Sequence, residues 1–242
     1  MVGREGLERL ERSRVVVVGL GAVGSYATEA LARAGVGHLR LVDFDEVRLS
    51  NINRQLHALH STLGRSKVLV ARERILDINP DCQVEALRLF VHRETLDQVL
   101  AGPPDLVIDA IDSLTPKVEL LAAVQTRCIP VVSSMGAALR TDPQSIRVGP
   151  LAQTRICPLA AKIRKALRRR GVSLDLPCVY SVEPLMHLPP GAIDLDGAAN
   201  EDCLVRGRRR RALGSLPTLT GMFGLAAANK ALEILLGGWC PG

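Results

Sequence analysis

The stretch Arg14-Val-Val-Val-Val-Gly19-Leu-Gly21-Ala-Val-Gly24-Ser-Tyr-Ala decides how the rest of the chain is read. Four consecutive valines form a short β-branched apolar run, as expected of a strand buried on both faces of a parallel sheet. Gly19, Gly21 and Gly24 then fit G-x-G-x-x-G. A helical pattern follows from Ala22 to Ala34 and is ended by Gly35 and Gly37. Each glycine has its own task in such a strand–turn–helix. The first permits the tight turn, the second lets phosphate approach the backbone, and the third lets helix and strand pack closely. The helix N-terminus offers N–H donors and positive potential to phosphate. Asp43 ends the next strand, Leu39 to Val42, where a carboxylate can hold ribose hydroxyls. These residues alone predict an adenine nucleotide, with a nicotinamide or flavin cofactor as the default.

Outward from this stretch, strands and helices alternate. Strands are expected at Gln83–Leu89, Asp105–Asp109, Ile129–Val132 and Ser145–Val148, and helices at Gly64–Ile78 and from Pro116 to Arg127. The pattern predicts an α/β fold: Rossmann-like, mostly parallel, with helices on both faces of the sheet. From Leu151 to Leu213 the alternation is lost, and Pro, Gly and Arg surround one basic amphipathic helix near Leu159 to Arg169. A last helix is expected from Thr218 to Leu236.

Composition narrows the class. At 47% hydrophobic and 23% charged, 242 residues can bury a core without staples, and aromatics at 2% leave that core to Val, Leu, Ile and Ala. Val2 to Arg14 is charged and does not read as a signal peptide. Leu213 to Trp239 is broken by Asn229, Lys230 and Glu233, so it reads as a buried helix rather than a membrane span. A cytoplasmic protein is expected. None of the six cysteines forms a C-x-x-C pair, so no zinc is expected. The runs Lys162–Arg170 and Arg206–Arg211 hold eleven of the 31 basic residues and no acidic one, which leaves 20 basic against 25 acidic residues elsewhere. Positive charge that local predicts a polyanionic partner.

The residues after Asp43 change the nucleotide. They run Asp43-Phe-Asp45-Glu-Val-Arg-Leu-Ser-Asn51-Ile-Asn-Arg54-Gln55, and Lys67 opens the next helix. Arg54 and Lys67 are expected to flank the pocket. A pyrophosphate seated on a helix N-terminus needs little more positive charge, whereas a triphosphate losing its β- and γ-phosphates does. Asp112 lies just past the strand ending at Asp109, at the carboxyl edge where open α/β sheets bind ligands. A carboxylate there can hold Mg²⁺ through water, although taken alone it also reads as a helix cap.

The series Gly-x-Gly-x-x-Gly, Asp43-x-Asp45, Asn51-x-x-Arg54-Gln55, Lys67 and Asp109-x-x-Asp112 resembles the adenylating ThiF/MoeB/HesA (E1-like) family over residues 14 to 136. The resemblance implies that Asp43 holds the ribose. It implies that Asn51, Arg54 and Lys67 contact the phosphates of ATP, with Gln55 beside them, and that Asp112 serves Mg²⁺ and catalysis. On that basis residues 1–150 form an ATP-binding adenylation domain. Residues 151–213 form a basic crossover segment on or beside it, and residues 214–242 supply a strand and helix that complete the same domain.

Within the family, some members activate ubiquitin-like sulfur carriers and commonly carry two C-x-x-C zinc pairs, which this chain lacks. Asn51-Ile-Asn-Arg54-Gln55 with His57-Ala-Leu, Ile78-Asn-Pro80, Pro158-Leu-Ala-Ala-Lys162 and Cys178-Val-Tyr-Ser-Val-Glu183 resemble instead the tRNA threonylcarbamoyladenosine dehydratases. In that subfamily Asp usually stands where this chain has Cys157. The resemblance implies that ATP adenylates the threonyl carboxylate of tRNA carrying t6A37. The neighbouring ureido group then displaces AMP and closes a ring, giving ct6A. Intramolecular attack of this kind needs no protein nucleophile. Cys178 and Cys203 are nonetheless the candidate thiols. Lys162, Arg164, Lys165, Arg168, Arg169 and Arg170 would position the RNA through its phosphates. The resemblance also implies a homodimer and admits a sulfur-transfer protein as a partner. The alternative is an E1-like enzyme adenylating the C-terminus of a sulfur carrier. Outside the family, an NAD-dependent oxidoreductase gives Arg54, Lys67 and Asp112 no work, and a non-catalytic nucleic-acid module predicts no ATP consumption.

Overall fold

A computed structural model describes residues 2–185 and 214–237. Seven strands form one sheet: β1 (Arg14–Val18), β2 (His38–Val42), β3 (Gln83–Leu87), β4 (Leu106–Asp109), β5 (Val131–Ser134), β6 (Ile146–Pro150) and β7 (Pro177–Ser181). Their order is β3-β2-β1-β4-β5-β7-β6, parallel except for β6, which pairs antiparallel with β7 at one edge. The chain winds outward from β1 in both directions. A crevice therefore opens between the carboxyl ends of β1 and β4, the switch point at which such sheets bind ligands.

The valine run explains why β1 is central. Val15 and Val17 pack on one face of the sheet and Val16 and Val18 on the other, all essentially buried. The first face is covered by α2 (Gly24–Arg33), α3 (Lys67–Ile78) and α7 (Pro217–Leu235), with Leu31, Ile75, Phe223 and Ala227 in its core. The second is covered by α4 (Leu96–Val99), α5 (Leu114–Thr126) and α6 (Pro158–Arg169), with Val99, Leu120, Ile163 and Leu167 inside. Helices on both faces of a mostly parallel sheet are what the alternation predicts.

Some elements depart from the sequence reading. Gly3–Arg12 forms a helix, α1, which the dense charge of that stretch conceals; its apolar contribution to the core is Leu10. β7 falls within the stretch where alternation was expected to be lost. It is the short run Pro177-Cys-Val-Tyr-Ser181, inserted between β5 and β6 and bracketed by irregular chain. Of the strand and helix expected in 214–242, α7 lies within 214–237, and residues 238–242 lie outside the described residues. No helix among the described residues is long and apolar enough to cross a membrane.

The loop from β4 to α5 is pinned from below. Lys117 Nζ lies 2.7 Å from Asp109 Oδ2, and neither residue is exposed to solvent. Lys117 also donates to the Ile111 carbonyl at 2.9 Å, while Asp109 accepts from Ser133 Oγ at 2.6 Å and Ile111 N at 3.1 Å. Removing one partner of such a pair strands a buried charge, at a cost of about 3–5 kcal/mol. Lys117→Met is therefore expected to lower the urea unfolding free energy by about that amount. The double variant with Asp109→Asn should lose less than Lys117→Met alone. Equal losses would show that the two groups do not act as a pair.

Candidate nucleotide site

The glycine turn has the geometry a phosphate loop requires. Gly19 adopts φ +90°, open to glycine at little cost, and its N–H donates to the Val42 carbonyl at 2.8 Å. A Cβ on Gly24 would lie 1.7 Å from the Gly19 carbonyl oxygen, so only glycine lets α2 start this close to the end of β1. Val23, the N-cap of α2, supplies no side-chain cap, and Ser25 N–H donates to the Gly21 carbonyl at 3.0 Å, so the helix N-terminus grows directly out of the glycine turn.

Asp43 organises this turn. Its Oδ2 accepts from Leu20 N at 2.7 Å and its Oδ1 from Asp45 N at 2.9 Å. Burial pushes its pKa above the ordinary carboxylate range, with Lys67 opposing the shift. A carboxylate has about four lone-pair sites, so acceptor capacity is left for hydroxyls. Lys67, at the start of α3, is buried and holds Asp45 Oδ2 at 2.8 Å. That contact fixes the ammonium beside Asp43 at the carboxyl edge of β2.

Asn51 is buried, and its Oδ1 accepts from Arg48 N at 3.1 Å while its carbonyl accepts from Arg54 N and Gln55 N. It thereby shapes the turn that carries the next two residues. Arg54 donates to the Ser50 carbonyl at 2.7 Å and to Asn53 Oδ1 at 2.8 Å. Burial lowers its pKa, and the nearby carboxylate of Asp112 acts in the opposite sense. Asp112 is thus brought across the crevice to Arg54, as the sequence motif implies. It does not take the cap position of α5, because the N-cap there is Ser113. Gln55 is buried close to Gly21; a Cβ there would lie 4.0 Å from Gln55 Nε2. Its Oε1 makes no hydrogen bond within the chain.

Sequence reasoning did not assign functions to Asp109, Lys117 or Ser133, whose buried network sits directly beneath Asp112. The signal was a lysine three residues past Leu114, in the first turn of a largely apolar helix, where Val118, Leu120 and Leu121 follow it. His57, noted only as part of a motif, is buried with Nε2 unpartnered. The candidate thiol Cys178 is buried, with Sγ 3.4 Å from the Gly149 carbonyl, and burial pushes its pKa up to about 12, so thiolate is scarce near neutrality. Cys203, the second candidate thiol, lies outside the described residues.

The basic patch divides. Lys162, Lys165, Arg168, Arg169 and Arg170 are exposed, while α6 buries Ala160, Ile163 and Leu167 on its other side. Arg164 instead turns inward and donates to the Thr154 carbonyl at 2.9 Å and to Thr154 Oγ1. Its first role is to hold the chain ahead of α6. Arg206–Arg211 lies outside the described residues.

Fold and site together define a Rossmann-like nucleotide-binding protein with cations and a carboxylate gathered at the carboxyl edge of the sheet. The ThiF family model matches residues 1–241, and the chain belongs to that family. It is 46% identical over 182 residues to a tRNA threonylcarbamoyladenosine dehydratase of Bacillus subtilis, covering 75% of this chain and 72% of that one. It is 36% identical over 249 residues to the protein of the same name from Escherichia coli, covering 98% and 91%. The crystal structure of the E. coli dehydratase, TcdA, in complex with ATP superposes with a TM-score of 0.84 at 36% identity, over 97% of this chain and 90% of that one.

His57 gives the site a pH signature. Burial and then the charges of Lys67 and Arg74 depress its pKa from 6.5 to about 4. The unfolded chain therefore takes up a proton near pH 6.5 and the folded chain only near 4. Stability falls as pH drops through that window, by on the order of 3 kcal/mol. Urea unfolding at stepped pH should show this loss in the parent protein and a smaller one in His57→Gln. Equal losses in both would mean that His57 is not held neutral.

Proposed function

We propose that this protein is an ATP-dependent tRNA threonylcarbamoyladenosine dehydratase that converts t6A37 to ct6A with release of AMP and pyrophosphate. The observation that carries the reading is the convergence of Arg54, Lys67 and Asp112 on the crevice above the glycine turn, in a chain whose near-full-length relatives bear that name.

In this reading the α2 N-terminus and Gly19–Gly24 seat the phosphates, and Asp43 takes the ribose hydroxyls with Asp45 beside it. Arg54 and Lys67 carry the charge that builds as pyrophosphate departs. Asn51 and Gln55 hold the loop that presents Arg54, and the unpaired Gln55 Oε1 is an acceptor turned toward the glycine turn. A single carboxylate at the carboxyl edge suits Mg²⁺, which takes one or two protein carboxylates plus substrate phosphates, so Asp112 would hold it. Bound there, the ion neutralises phosphate charge. The threonyl carboxylate attacks the α-phosphate, pyrophosphate leaves, and the ureido group displaces AMP from the acyl-adenylate. Positioning supplies the second step, and the raised pKa of Cys178 fits a route without that thiol.

The exposed cations of α6 contact tRNA phosphates, the subunits pair as a homodimer, and the protein works in the cytoplasm. A sulfur-transfer protein is a further partner that this reading admits. The test is mass spectrometry of nucleosides from t6A-bearing tRNA incubated with protein and Mg·ATP. An ATP-dependent loss of one water, with AMP formed, is expected. Asp112→Ala should reduce turnover by about a hundredfold or more. An unchanged nucleoside would overturn the substrate, and unchanged turnover in Asp112→Ala would overturn the role of that carboxylate.

A further inference from the structure

Arg140 follows β5, on the same carboxyl edge as Asp112. Only 1% of its surface reaches solvent, yet none of its three guanidinium nitrogens makes a hydrogen bond within the chain. Among the described residues it accounts for three of the seven buried side-chain atoms left without a partner, and it is the only charged residue in that group. A buried, unpaired guanidinium is costly, and arginine does not escape the cost by losing its proton.

A neighbouring carboxylate does not relieve it. Glu183 feels the charge of Arg140, but its oxygens already accept from Thr141 N, Thr141 Oγ1 and Asp142 N at 2.9–3.0 Å. Cys157, the N-cap of α6, also lies in electrostatic range, and it provides no side-chain cap. The loop after β5 packs on this helix start; a Cβ on Gly136 would lie 3.6 Å from Cys157 Sγ. The electrostatic coupling of Arg140 to Cys157 thus places the buried guanidinium near the uncapped N-terminus of a 12-residue helix.

The backbone is strained to hold both. Three non-glycine residues among those described have positive φ. Two of them, Leu139 at 59° and Ile156 at 65°, directly precede Arg140 and Cys157. For a β-branched residue such as Ile156 this is a true outlier, and strain of this kind costs about 1–3 kcal/mol per residue and concentrates at functional sites.

We propose that Arg140 and the N-terminus of α6 form a second anion site that binds an oxyanion of the tRNA substrate. The proposal rests on the dehydratase reading and deepens it. The oxyanion is either the threonyl carboxylate awaiting adenylation or a backbone phosphate beside it. The exposed Lys162, Lys165, Arg168 and Arg169 lie further along the same helix. Arg140 acts here as a positioning residue for the substrate.

The test compares the parent protein with Arg140→Gln and Arg140→Lys, all with Mg·ATP. Arg140→Gln should raise the KM for t6A-bearing tRNA by about ten- to hundredfold, with AMP affinity unchanged and Arg140→Lys restoring part of the loss. The free t6A nucleoside, which has the carboxylate and no phosphate, separates the two sources. If the carboxylate is bound, the inhibition constant of the nucleoside rises in step with KM. If a phosphate is bound, that constant does not move and the salt slope of tRNA binding falls by about one. An unchanged KM, inhibition constant and salt slope in a variant with only a lower Tm would overturn the proposal. Should Arg140→Gln fail to fold, inorganic phosphate at constant ionic strength is the probe. With AMP saturating, it should raise the Tm of the parent protein more than that of Arg140→Lys, and equal shifts would overturn the site. A parent protein that leaves t6A unchanged would overturn the dehydratase reading, and the phosphate shift would still decide the anion site.

Discussion

Beneath the crevice lies an ammonium and a carboxylate from which solvent is excluded. Lys117 and Asp109 meet at 2.7 Å, and every further contact of the pair is to something the site needs held. Asp109 ends β4, the strand beside β1, and Ser133 ties it to β5. Ile111 receives one bond from Lys117 and gives one to Asp109, so the loop has little freedom before it reaches Asp112. In a low-dielectric interior such a network is rigid when complete and costly when broken. That stiffness helps to hold Asp112 opposite Arg54.

The glycine turn depends on the same neighbourhood. A Cβ on Gly19 would meet the Ala110 carbonyl at 2.9 Å, so the turn after β1 and the loop after β4 lie against each other. Asp43 reaches in from β2 and bonds Leu20 N. Three consecutive strands of the sheet, β2, β1 and β4, thus each deliver one wall of the crevice. The parallel order of the sheet makes this automatic, because all three carboxyl ends emerge on one side.

Much of this was legible in the sequence, and for identifiable reasons. The valine run, the three glycines and Asp43 are local signals whose spacing is set by one turn of chain, so pattern reading places them correctly. Arg54, Lys67 and Asp112 were named together because their offsets resemble a family motif, and no local signal in the chain ties them to one another. The pairing of Lys67 with Asp45, and the place of Lys117 under the sheet, depend on contacts between elements distant in the chain. α1 was hidden because its charge masks the few apolar positions that pack. β7 was hidden because a buried strand of five residues, bracketed by irregular chain, has no period to read. Arg140 was invisible altogether. Nothing in Ala-Leu-Arg-Thr-Asp-Pro announces that the side chain turns inward, and only the packing of the β5 loop on α6 shows it.

The account turns on one chemical claim, that a carboxylate oxygen of the substrate attacks the α-phosphate of ATP in this crevice. The most direct measurement is to label the threonyl carboxylate of t6A-bearing tRNA with oxygen-18 and follow the label through one turnover by mass spectrometry. Adenylation requires the bridging oxygen to leave with the nucleotide, so one labelled oxygen should appear in each AMP formed. Label found in inorganic phosphate alongside ADP would mean attack at the γ-phosphate. Label found in water with unlabelled AMP would mean that no acyl-adenylate forms, and either result would contradict the account.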